Sequence, residues 1–77
     1  MTSRLSDLRP GEAGRVLNVG GEAIFRRRIQ EMGLVLGNSV EVLNVAPFGG
    51  PIKLRIPSYA LSIRRCDAAL VTVEIPE

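Results

Sequence analysis

Seventy-seven residues with 45% hydrophobic side chains, ten basic against eight acidic groups, one cysteine and no histidine allow one domain around one modest core. A chain of this size hides only about 60% of the surface its unfolded form exposes, so each core side chain counts. The lone cysteine excludes an internal disulfide, the missing histidine excludes Cys–His and Ser–His nucleophiles, and the two together nearly exclude a zinc site within one chain.

Residues 1–3 read as a loose end, and Leu5-Ser6-Asp7-Leu8 as a short semi-apolar stretch before the Pro10-Gly11 turn. Residues 14–19 are rich in aliphatic and β-branched side chains and read as a first strand, closed by Gly20-Gly21. A helix is predicted over 22–32. Phe25, Ile29 and Met32 recur at helical spacing on one face, with Arg26, Arg27, Gln30 and Glu31 opposite and Arg28 at the border. Gly33 stands where a left-handed C-terminal cap is wanted, and Leu34 can fold back onto the last turn. A second strand covers 39–45, with alternation that slips at Leu43 and predicts a bulge. Pro47-Phe48-Gly49-Gly50-Pro51 interrupts the pattern as a hairpin tip. Ile52, Leu54 and Ile56 then alternate with Lys53 and Arg55. Pro57-Ser58 is a tight link. Tyr59, Leu61 and Ile63 follow in one phase, and Ala69, Val71, Val73 and Ile75 in another. The expected fold is all-β with one short helix inserted after the first strand, in a small antiparallel barrel of about five strands. Closure would remove exposed sheet edges.

Carboxylates are scattered singly along the chain, so no acidic pair for acid–base chemistry or metal binding is visible in sequence. A Ser–Lys pair stays formally open with Lys53 as the one lysine. These residues point away from an enzyme, and no cofactor is expected. Cys66, beside Arg64 and Arg65, reads as a small residue at a strand-to-turn junction more readily than as an activated thiol.

Two features can bind. Arg26, Arg27 and Arg28 form either a cationic patch for phosphate or an acidic protein surface, or the solvated face of a short helix whose Arg28 stem covers the core rim. Phe48, in a loop between prolines, either plugs one end of the barrel or stands out as an anchor for a partner. Gly49-Gly50 lacks the lysine and the strand-to-helix context of a phosphate loop and reads as the tip of the hairpin. The candidate partner-binding residues are therefore Arg26, Arg27, Phe48, Gly49 and Gly50. No metal ligand is assigned. Phe25, Phe48 and Tyr59 do not interleave with basic residues, which leaves nucleic-acid binding by a weakly basic barrel as the alternative reading.

Leu5-x-x-Leu8-x-Pro10-Gly11-Glu12-x-Gly14, Arg26-Arg27-Arg28-Ile29-x-Glu31-Met32-Gly33-Leu34 and Gly37-x-x-Val40-Glu41-Val42 occur in this order. They are followed by Ala46-Pro47-Phe48-Gly49-Gly50-Pro51-Ile52 and Tyr59-x-Leu61-Ser62-Ile63-Arg64-Arg65. With these motifs the chain resembles the ferrous iron transport protein A (FeoA) family from Leu5 to Glu74. Leu36 and Pro57-Ser58 depart from the family's usual turn residues. The resemblance implies an SH3-like fold and a cytoplasmic, non-enzymatic accessory to bacterial ferrous iron uptake. Its implied partner is the large membrane permease that carries a cytoplasmic G-protein domain. The accessory itself would not be membrane-inserted, nucleic acid would not be its ligand, and homo-oligomers stay open. The family is linked to transition-metal ions, but no metal-binding residue can be carried onto a position here.

Overall fold

The computed structural model describes residues 1–57 and 59–76. Six strands run β1 (Thr2–Arg4), β2 (Ala13–Val19), β3 (Ser39–Val45), β4 (Ile52–Ile56), β5 (Tyr59–Ile63) and β6 (Val71–Glu74). A 3₁₀ turn covers Leu5–Asp7, helix α1 covers Ala23–Glu31, and a short helix α2 covers Arg65–Ala68. All pairings among the described residues are antiparallel, in the order β1-β6-β2-β3-β4-β5.

Three expectations need correction. The chain start is not loose, because Thr2, Ser3 and Arg4 pair with Glu74, Val73 and Thr72. No apolar period marks that strand, since its partner supplies only backbone hydrogen bonds. Among the described residues the sheet thus has six strands, and it is barrel-like without closing, because β1 pairs with β6 and β5 with β4, leaving both as edges. Finally, Cys66 does not sit at a strand-to-turn junction. Residues 65–68 form a helical turn, Ala69 caps it, and β6 starts only at Val71. The Pro57-Ser58 link lies partly outside the described residues.

Bulges explain how seven-residue strands keep an apolar face while bending. The register of β3 against β4 shifts between Val42 and Asn44, leaving Leu43 as the extra residue. A second shift, between Val16 and Asn18 on β2, moves the buried phase from Val16 to Val19 and leaves Leu17 40% exposed. β4 alternates without a break, with Ile52, Leu54 and Ile56 buried and Lys53 and Arg55 exposed.

The core is one cluster in which Leu5, Ile29, Leu34, Ile52, Leu54 and Val71 are inaccessible or nearly so, and no polar side chain is buried among the described residues. Stability therefore rests on apolar burial and backbone hydrogen bonds. Helix α1 closes over this core with Ile29, while Phe25 and Met32 pack against it partly buried. Its end has the geometry the sequence predicts. Leu34 N–H donates to the Ile29 carbonyl at 3.2 Å and Gly33 N–H to that of Gln30 at 3.0 Å, with Gly33 at φ +105°. Tyr59, half exposed at the start of β5, donates its hydroxyl to the Met32 carbonyl and ties the helix exit to the sheet. Tyr59→Phe is expected to cost about 0.5–1.5 kcal/mol, visible as a Tm lower by a few degrees. An unchanged Tm would show that water replaces this bond without loss.

Candidate docking surface

The arginines of α1 diverge as the helix turns. Arg26 and Arg27 line a shallow groove with Asn18, Ala23, Gln30 and Leu36. Arg28 faces a different depression, walled by Gly21, Ile24, Phe25 and Leu70. All three guanidiniums are exposed, and none forms an ion pair among the described residues. The patch is thus free to meet an anionic partner, and Arg28 lies at the edge of an apolar area.

The β3–β4 connection is held from within. Ala46 N–H donates to the Pro51 carbonyl at 3.0 Å, and Gly50 N–H donates to that of Pro47 at 3.2 Å. Gly50 has no room for a side chain, because a Cβ there would lie 2.7 Å from Ala46 Cβ. Phe48 takes the left-handed conformation at φ 59° and is 104% exposed. Of the two sequence alternatives, plug or outward anchor, the conformation is the outward one. A left-handed torsion on a bulky residue costs on the order of 1–3 kcal/mol, a strain the fold tolerates in order to hold an aromatic ring in water.

Behind this tip a cleft of about 720 Å³ is lined by Ser6, Gly49, Gly50, Pro51, Arg64, Arg65, Cys66 and Ala69. Arg64 is fastened in place: its Nε lies 3.1 Å from Asp67 Oδ2. The hydrogen bond to Asp67, and then that carboxylate's charge, raise the guanidinium's already high pKa, so Arg64 stays cationic. Cys66 is exposed, and its thiol lies 3.8 Å from Asp67 Oδ1. No group of three or more His, Cys, Asp or Glu side chains that could hold a metal is found among the described residues.

The five candidate residues therefore fall into two places. Arg26 and Arg27 share one groove, whereas Gly49 and Gly50, next to Phe48 at the tip, line another cleft. Sequence reasoning missed the exposed apolar pair Ile24 (74%) and Leu70 (43%), which share one depression. The signal was present in both cases. Ile24 lies out of phase with Phe25, Ile29 and Met32, and Leu70 out of phase with Val71 and Val73.

Residues 3–75 match the family model described as the FeoA domain. The chain belongs to the FeoA domain family. This FeoA chain is 43% identical over 72 residues to a Porphyromonas gingivalis (strain ATCC BAA-308 / W83) protein, an Fe(2+) transport protein A/Fe(2+) transporter FeoB fusion. That match takes in 94% of this chain but only 8% of the length of the curated relative. An iron uptake regulatory protein (FeoA) crystal structure superposes with a TM-score of 0.89 at 32% identity, covering 96% of this chain and 97% of that one. The FeoA protein of Chlorobium tepidum superposes at 0.88 with 37% identity, over 97% and 71% of the two chains. A zinc complex of Stenotrophomonas maltophilia FeoA, described as a prokaryotic SH3 domain protein, gives 0.74 at 26% identity over 96% and 89%. The FeoA family is thus associated with ferrous iron transport, and the barrel-like sheet is SH3-like. No helix among the described residues is long and apolar enough to cross a membrane.

Proposed function

We propose that this FeoA domain is a cytoplasmic, non-enzymatic accessory of bacterial ferrous iron uptake that docks on the cytoplasmic part of the iron permease, with its G-protein domain, and modulates transport. The observation that carries this reading is the Porphyromonas gingivalis relative, in which a 43% identical segment is covalently joined to FeoB. Two domains joined in one chain meet at high effective concentration, which favours a contact that separate chains must make by affinity. The unpaired guanidiniums of Arg26 and Arg27 suit carboxylates on such a surface, gripped two hydrogen bonds at a time. Phe48 supplies an apolar anchor.

Arg27→Glu and Phe48→Ala are each expected to weaken capture of the permease in its own membrane about tenfold or more, with folding intact because both side chains are exposed. Phe48→Asn is the sharper variant. Asparagine tolerates the left-handed torsion better than phenylalanine, so stability should hold or rise while capture falls. The reading fails if folded Arg27→Glu and Phe48→Asn proteins capture the permease as well as wild type. It fails equally if the chain retains salt-sensitive nucleic acid and ignores the permease.

A further inference from the structure

The stretch from residue 42 to residue 66 contains no acidic side chain, only Lys53, Arg55, Arg64 and Arg65 among charged groups. It folds as the β3–β4 hairpin, strand β5 and the entry to α2. Arg55 lies 4.0 Å from Glu41, away from the tip. Near the tip, Lys53 pairs across the sheet with Asn44 and Ser62, and all three are exposed. Arg64 follows Ser62 by two residues, and Arg64 and Arg65 line the cleft whose other wall is Gly49, Gly50 and Pro51. Among the described residues, the carboxylate paired with this group is Asp67, which Arg64 holds. Phe48, at the tip of this acid-free stretch and next to the cleft-lining Gly49 and Gly50, is wholly exposed.

We propose that the β3–β4 tip seats on an anionic lipid surface, with Phe48 in the headgroup–acyl boundary and Lys53, Arg64 and Arg65 against lipid phosphates. The tip alone offers too little apolar area for a stable protein interface, so where no permease is docked its shape and charge suit lipid. A stable protein interface needs about 800 Å² per partner. Here the apolar offer is one convex side chain, held out at a left-handed torsion on a stretch whose charged groups are all basic. A bilayer can use such a tip, because it accepts a single inserted ring and rewards each nearby cation separately. Lys53 and Arg65 are each worth on the order of fivefold in affinity near an anionic leaflet, Arg64 less because Asp67 offsets its charge, and the ring at least about tenfold. Such a contact is reversible on its own and adds to permease docking by keeping the chain at the membrane. It rests on the preceding reading only in placing the chain beside a membrane.

The test uses the full chain and protein-free vesicles of phosphatidylcholine with or without phosphatidylglycerol. Flotation should show binding to the anionic vesicles alone, lost as salt is raised. Phe48→Ser should weaken it about tenfold and Arg65→Glu several-fold, whereas Leu17→Ser, at an exposed side chain on β2, should bind as wild type. The chain has no tryptophan, so Phe48→Trp places a single indole at the tip, excitable apart from Tyr59, and its fluorescence should shift to the blue on anionic vesicles. Absence of binding to anionic vesicles overturns the proposal. So does binding that Phe48→Ser and Arg65→Glu leave unchanged, or association only with vesicles that contain the permease. Capture of permease in detergent, without any bilayer, reports separately on protein docking.

Discussion

Gly33→Ala is expected to destabilise the fold by about 2–5 kcal/mol, a large part of the roughly 4–12 kcal/mol that a chain of this length has in total. Two costs add at this residue. An alanine at φ +105° is torsionally strained, and its Cβ would lie 2.4 Å from Ile56 Cδ1 and 3.1 Å from Tyr59 Oη. Ile56 is 4% exposed, so its side chain cannot swing out into solvent without opening the core. The displaced Tyr59 would also lose its bond to the Met32 carbonyl. Gly37 provides the contrast. It has a similar torsion, φ +89°, with nothing within 4 Å of a built Cβ, so Gly37→Ala should carry the torsional cost alone. Urea titration should show a much lower midpoint for Gly33→Ala at unchanged m, with Gly37→Ala between it and wild type. Equal midpoints for the two variants would mean that the crowding is relieved cheaply and the larger figure is wrong. The consequence reaches the candidate surface, because the Gly33 cap fixes where α1 leaves the sheet and therefore where Arg26 and Arg27 point.

Leu54→Ala should cost about 2–5 kcal/mol, with a fall in Tm on the order of 10–20 °C. Leu54 is fully buried at the middle of β4, opposite Val42 on β3 and Leu61 on β5. Truncation there opens a gap on the core face between two paired strands, and antiparallel strands pinned at both neighbours collapse poorly into it. Leu36→Ala, at a side chain 60% exposed, should change stability by no more than about 0.5 kcal/mol. Thermal unfolding by circular dichroism distinguishes the two. A Leu54→Ala protein as stable as Leu36→Ala would show that the β3–β4–β5 face is not part of the cooperative core.

The readable parts of this fold are those in which a local pattern and its tertiary environment agree. Ile52, Leu54 and Ile56 alternate and bury as they alternate. Phe25, Ile29 and Met32 share a helical face, Gly33 and Leu34 end it, and Leu43 marks the bulge where the strand pattern slips. The β2 bulge was not readable, because Val16-Leu17-Asn18-Val19 satisfies a strand pattern in either phase until β6 selects one.

By itself, the sequence determined an antiparallel sheet around a small apolar core, one basic helix with a glycine cap, and a glycine–proline hairpin tip. Each of these follows from side-chain periodicity or backbone torsional preference within a few residues. Tertiary structure alone decided that Thr2, Ser3 and Arg4 form a sixth strand, that the sheet stays open between β1 and β5, and that Phe48 faces water. It alone separated Arg26 and Arg27 from the Phe48 tip and gathered Arg64 and Arg65 beside it. These outcomes depend on backbone pairing and on contacts between residues far apart in the chain, which leave no periodic trace in either segment alone.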